Sequence, residues 1–198
     1  MSSVRPRLRA EERREAVLDT ACRVFGRCSY RNATTAEIAR EAGVTEPILY
    51  RHFDSKRALY LACVDETWER VRIAWEEALA NEDDPREWLP EMGRAFAAFK
   101  ENQAALANLW AQALAEAGDE PELRRHLRRH VRDVHEFVAG VIERGQAADA
   151  IARDRDAHAE AWIFIALGLL ATIAGRLGCL IPEDLERIRA TRRRWLAA

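Results

Sequence analysis

The chain has 198 residues, 48% of them hydrophobic, enough for a sizeable core in one or two domains. Its net charge of −2 is unevenly spread, with 12 Lys+Arg against 8 Asp+Glu in residues 1 to 60 and 19 against 25 in the rest, so a polyanion is met by the first part only. The opening MSSVRPRLRAEERR has no apolar run, which argues against a secretory signal or membrane anchor, and Cys22, Cys28, Cys63 and Cys179 fit no metal spacing and read as reduced cytoplasmic thiols.

Arg5, Arg7 and Arg9 around Pro6 form a flexible basic arm, either a plain tail or a contact to phosphates or the minor groove. Val17, Leu18, Ala21, Val24 and Phe25 follow helical spacing from about Ala10, and Gly26 closes that helix. Arg27 to Ala33 is a polar loop anchored by Tyr30.

Two short helices follow, over TTAEIAREAGVTEPILYRHF. Thr34 stands three residues before Glu37, the spacing of a capping box, and Gly43 can leave the first helix with a positive φ. Thr45 caps the second helix, with Pro47 in its first turn, where a missing N–H costs nothing. Ile38, Ala39, Leu49 and Phe53 face inward, while Glu46, Pro47, Ile48, Tyr50, Arg51 and His52 spread over the ends and outer face. About two turns of such side chains fit a DNA major groove about 12 Å wide.

Residues 10 to 60 resemble the DNA-binding domain of the TetR family of bacterial transcriptional regulators. The resemblance rests on Val24-Phe25, Thr34-Thr35, Ile38-Ala39, Ala42-Gly43-Val44, Leu49-Tyr50, His52-Phe53, Lys56 and Leu59 at fixed spacing, with Ser29 where the family usually has glycine. It implies that Thr34, Thr35, Tyr50 and Lys56 hold phosphates, and that Thr45, Glu46, Pro47, Ile48, Arg51 and His52 complete the DNA-facing set. Glu46 can accept from cytosine but is repelled by phosphates, so it sharpens choice and weakens affinity.

Asp54 or Ser55 caps a long helix to about Ala80 that links the head to the body. Asp84-Pro85 opens a helix that begins there or at Pro90 and ends near Lys100; further helices run from about Gln103 to Ala117 and from Asp119–Glu122 to Gly145. No period-2 pattern appears, and the expected fold is all-α: a three-helix helix-turn-helix domain over 1–55 and a helical bundle for ligand binding and dimerisation over 56–198. Ala161 to Gly175 is apolar all round yet shorter than the 17 to 25 residues of a membrane span, so it should be buried, with a second copy of the chain covering one side. After Gly178, Pro182 opens a last helix with Leu185, Ile188 and Trp195 on its apolar side.

Phe96, Phe99, Trp110, Phe137 and Phe164, with Asn108 near them, are the candidate lining of an effector cavity, alongside Trp88, Trp162, Gln112 and His135. Glu122, His126 and His130 share a helical face among Arg125, Arg128, Arg129 and Arg132, and read as a solvated basic face rather than a metal site. Asp154 and Asp156 stand at a helix start, and no nucleophile elbow, phosphate loop or dinucleotide fingerprint is present, so no catalytic residue, cofactor or metal is expected. The expectation is a cytoplasmic homodimer, more a repressor than an activator, released from a near-palindromic double-stranded operator by an apolar or amphipathic small molecule. The alternative is an architectural or partner-binding DNA-binding protein without such a ligand.

Overall fold

Apolar side chains three and four apart give a helix one greasy stripe, and here that pattern closes into helices throughout. The computed structural model describes residues 10–118, 120–178 and 182–197, so the basic arm and Cys179 lie outside the described residues. The helices are α1 (Ala10–Asn32), α2 (Thr35–Glu41), α3 (Glu46–Tyr50), α4 (Lys56–Ala80), α5 (Trp88–Asn102), α6 (Ala104–Glu116), α7 (Pro121–Ala147), α8 (Ala157–Arg176) and α9 (Pro182–Leu196). Among the described residues there is no strand, only an isolated bridge between Ile151 and Ala197.

The backbone groups into two compact units. The first holds the chain to Thr67 together with residues 103–124; the second holds residues 68–102 and the chain from Arg125 onward. Helices α4 and α7 each begin in the first unit and continue into the second.

In the first unit α1, α2 and α3 enclose Val17, Val24, Phe25, Ile38, Leu49 and Leu59, all fully buried. Gly26 does not end α1, as its residue type suggested. It lies where a Cβ would come within 2.2 Å of the Ala105 carbonyl oxygen, so glycine is needed for close approach of α1 to α6. Gln112 on α6 also donates to the Gly26 carbonyl at 3.3 Å. The break comes three residues later, at Ser29, with φ 66° and ψ 163°. Ser29 thus adopts the conformation that glycine would supply, and one helical turn resumes from Tyr30 to Asn32 where a loop was expected.

In the second unit Trp75 is buried and donates to the Met92 carbonyl at 2.9 Å, tying α4 to α5. Trp75 also meets Trp68, Phe137 and Phe164 with ring centroids 5.7, 5.7 and 5.8 Å away, which draws α7 and α8 to the same cluster. His130 departs from the expected solvated face: it is buried, its ring 5.9 Å from Trp68. Asp156 caps α8, accepting from the His158 and Ala159 amides at 2.9 and 3.0 Å.

α8 differs from expectation in two ways. It has 20 residues, and an 18-residue stretch of it has mean hydropathy 1.7, so by length and composition it is long enough to cross a membrane, because the helix extends past the uncharged run at both ends. It is also not enclosed by its own chain: Trp162, Ile163 and Ile173 are exposed along it, as are Leu177 beyond its end and Trp195 on α9. At its first turn Glu160 is buried, paired with Arg192 and accepting from the Trp195 indole at 3.2 Å, while Arg155 lies 3.8 Å over the Trp195 ring.

Ser29→Gly should raise stability by about 1 kcal/mol, since the Gly-only backbone region carries strain of about 1–3 kcal/mol in other residues. Gly26→Ala should lower it by about 1–3 kcal/mol through overpacking. Urea denaturation of both variants checks the pair, and opposite signs are expected.

Candidate nucleic-acid interface

The two short helices are set by local chemistry. Thr34 accepts the Glu37 amide at 3.1 Å, while the Glu37 carboxylate lies 3.8 Å from Arg27, so the reciprocal half of the expected capping box is replaced by an ion pair. Gly43 leaves α2 at φ 68°, and the Val44 amide returns to the Ala39 carbonyl at 2.9 Å, the closure that a left-handed residue after a helix allows. Thr45 precedes α3 in extended conformation but makes no side-chain cap bond, in contrast to expectation; Pro47 fills the first turn. α3 has only five residues, too few to persist alone. It is held by Leu49 and Phe53, both buried with Ile38 and Ala39 as the spacing predicts.

That anchoring decides what faces outward. Thr34, Thr45, Pro47, Tyr50 and Arg51 are exposed; Thr35, Glu46, Ile48, His52 and Lys56 are half-buried. Glu46 is not a free carboxylate: the Thr35 hydroxyl donates to it at 2.6 Å, and the same hydroxyl lies 3.1 Å from the Tyr50 hydroxyl. One α2 side chain therefore fixes the first and last residues of α3. Lys56 lies 4.5 Å over the Tyr30 ring, where burial pulls its ammonium below the ordinary lysine range and Glu116 opposes that fall.

A second set of contacts has no local sequence signal. Arg57 pairs with Glu120 at 2.6 Å and lies 3.7 Å from Glu122, and the Tyr60 hydroxyl donates to Glu116 at 3.2 Å. Burial, and then the Glu116 charge, push the Tyr60 phenol far above its ordinary range. Tyr60 also meets Phe25 and Tyr30 at 5.0 and 4.9 Å between centroids. These groups stand 56 and 63 residues apart in the chain, which periodicity and capping patterns do not reach.

A family model for bacterial regulatory proteins of the tetR family matches residues 17–63, and one for the C-terminal part of BetI-type transcriptional repressors matches residues 85–198. The second match alone covers more than half of the chain. The chain belongs to the TetR family.

As a TetR-family member it is a DNA-binding transcriptional regulator with an N-terminal helix-turn-helix and a C-terminal helical domain. It is 38% identical over 98 residues to the transcriptional activator FasR of Mycolicibacterium smegmatis, half of this chain and 45% of that one. It is 27% identical over 177 residues to the nucleoid occlusion factor SlmA of Marinobacter nauticus, covering 89% of this chain and 87% of that protein. A transcriptional regulator from Saccharomonospora viridis, solved in complex with choline, superposes with a TM-score of 0.80 at 22% identity over 95% of this chain and 99% of that one.

The residues expected to line an effector site divide between the units. Phe96, Phe99, Phe137 and Phe164 belong to the second and Asn108 and Trp110 to the first, Asn108 being exposed. Phe96 stacks on Phe99 at 6.5 Å. Trp68 and Trp75, read from the sequence as part of a helix stripe, stand with Phe137 and Phe164 at the centre of the second unit's aromatic cluster.

Thr35→Val should cost about 1–2 kcal/mol by leaving the Glu46 carboxylate without its hydroxyl donor, and Thr35→Ser should recover most of it. Denaturation of the two variants measures the difference.

Proposed function

We propose that the chain is a repressor that binds a near-palindromic operator as a homodimer and is released by a small apolar or amphipathic effector. The observation that carries the DNA part is the exposed Pro47 and Tyr50 on a five-residue helix, with exposed Thr45 and Arg51 at its two ends, pinned from behind by Leu49. On this reading residues 1–55 form the DNA-binding head and 56–198 the regulatory part, working in the cytoplasm. Thr34, Thr35, Tyr50 and Lys56 engage phosphates; Arg51, Pro47, Ile48 and His52 meet base edges. Glu46, tied to Thr35, acts by repelling wrong acceptor edges more than by reaching for cytosine.

The homodimer is supported by the apolar side chains that one chain leaves uncovered on and beside α8 and on α9, Trp162, Ile163, Ile173, Leu177 and Trp195. A second copy supplies the cover that the chain's own elements do not. The effector reading is supported by the Trp68, Trp75, Phe137 and Phe164 rings, whose faces attract apolar groups and onium cations. The choline held by the Saccharomonospora viridis regulator makes quaternary ammonium compounds the first to screen. Release requires that the effector prefer the DNA-free state, by its differential affinity alone.

The name of the nucleoid occlusion factor SlmA favours the second reading, a DNA-binding protein that acts through a partner without a small-molecule effector. It predicts operator affinity that no compound in a broad screen changes.

Selection from a random duplex pool, with solution mass recorded, should enrich an inverted repeat bound by dimers. Arg51→Ala should then lose about 1–3 kcal/mol at particular base pairs and relax preference there. Tyr50→Phe and Lys56→Ala should weaken all sequences alike, Lys56→Ala lowering the salt slope by about one. Unchanged binding in all three variants removes α3 as the reading helix.

A further inference from the structure

A group of nitrogen and oxygen donors gathers in the second unit between α7 and the start of α8. His135 on α7 is only 6% exposed, and both of its ring nitrogens face acceptors. Nε2 is 3.0 Å from the main-chain oxygen of His158, and Nδ1 is 3.3 Å from Oε1 of Glu136. A neutral imidazole carries one N–H and one lone pair. Both neighbours only accept, so a neutral ring satisfies one of them; with the hydrogen on Nε2, at the shorter carbonyl contact, the Nδ1 lone pair faces a carboxylate oxygen. A cation between that lone pair and the carboxylate would satisfy both.

His158, at the start of α8, brings a second imidazole. Its ring stacks on that of His135 with centroids 5.2 Å apart, and one donor atom from each of His135, Glu136 and His158 lies within 4.8 Å of the others. Glu143 adds a second carboxylate, 3.9 Å from Nε2 of His158. Among the described residues neither Glu136 nor Glu143 pairs with an arginine, although α7 carries several. The bond from His135 Nε2–H to a main-chain carbonyl is the outer contact that metal-bound histidines make, fixing the tautomer and aiming the other nitrogen.

We propose that Nδ1 of His135, the Glu136 carboxylate and the His158 imidazole bind one divalent ion of the zinc class per chain. Two imidazoles and a carboxylate suit Zn²⁺, Co²⁺ or Ni²⁺; calcium and magnesium prefer all-oxygen sites, and among the described residues no thiolate joins the group to favour a softer ion. Bonds near 2.0–2.2 Å require the donors to close in. His135 is fixed by burial, but the Glu136 and His158 side chains are more than half exposed and free to turn toward it. The ion ties α7 to the first turn of α8. It also lies beside Trp162, whose ring stacks on His135 at 4.5 Å and reports on it.

The test uses the tag-free full chain, dialysed against EDTA and then metal-free buffer, titrated calorimetrically with ZnCl₂ and, separately, with CoCl₂ while tryptophan emission is followed. The expected result is saturable binding of one Zn²⁺ per chain, weakened at least tenfold in both His158→Ala and Glu136→Gln. Both changes are at exposed side chains, so helicity by circular dichroism should be retained. Co²⁺ should quench emission in the unaltered chain and markedly less in Trp162→Phe. A folded chain that binds no stoichiometric zinc overturns the proposal. Zinc binding of equal strength in both ligand variants overturns it too, by placing the ion elsewhere, on the cysteines for instance.

Discussion

The backbone of α1 at Gly26 passes so close to the Ala105 carbonyl that no side chain fits between them, and the rest of the DNA-binding unit is built on that approach. It places Phe25 and Tyr30 where Tyr60 of α4 can pack on both. It also brings Gln112 of α6 to the Gly26 carbonyl. The three helices of the head therefore do not form a free-standing bundle; α6, the start of α4 and the first turn of α7 belong to the same compact unit. Helices α4 and α7 continue from this unit into the second. Both are fastened at the near end, Arg57 of α4 on Glu120 and Glu122 before and within α7, and Tyr60 of α4 on Glu116 of α6.

Magnitudes decide which contacts place α3. Burying a leucine or phenylalanine contributes about 1.5–3 kcal/mol, whereas an exposed ion pair contributes about 0–1. Leu49 and Phe53 therefore hold α3 in position, and Arg27 with Glu41, half-exposed at 2.8 Å, does not. The Thr35 bonds to Glu46 and Tyr50 add direction rather than bulk stability. A carboxylate already satisfied by a hydroxyl has less to gain from a further hydrogen-bond donor than a free one.

What could be read from sequence was what is local. Thr34 as a cap, Gly43 as an exit with positive φ, Pro47 in a first turn and the inward set Ile38, Ala39, Leu49 and Phe53 each follow from neighbours within four residues, and each stands in the structure as expected. Gly26 was misread because one letter serves two purposes: glycine can end a helix or let another backbone come near, and only the partner on α6 tells which. Ser29, which stands where the family usually has glycine, holds a positive-φ conformation imposed by the surroundings on a residue that does not favour it. His130 looked solvated among arginines, yet the turn of α7 that carries it faces Trp68. Arg57, Glu116 and Glu120 escaped altogether, since nothing in a one-dimensional pattern joins residues so far apart.

α8 joins two features that pull in opposite directions. Its first turn is committed to its own chain: buried Glu160 is matched by Arg192 and the Trp195 indole, Arg155 covers Trp195, and the Ala152 amide donates to the Leu196 carbonyl at 2.9 Å. A buried carboxylate left without these partners would be costly, so α9 cannot leave α8 without penalty. Farther along, the helix exposes Ile173 and then Leu177, which is costly in water for a single chain. The polar latch fixes how α8 and α9 are presented, and the apolar surface they present then favours association. A sequence apolar on every side of a helix thus need not mean a helix enclosed by its own fold; here the charged first turn sets the geometry and the uncharged remainder stays in part exposed.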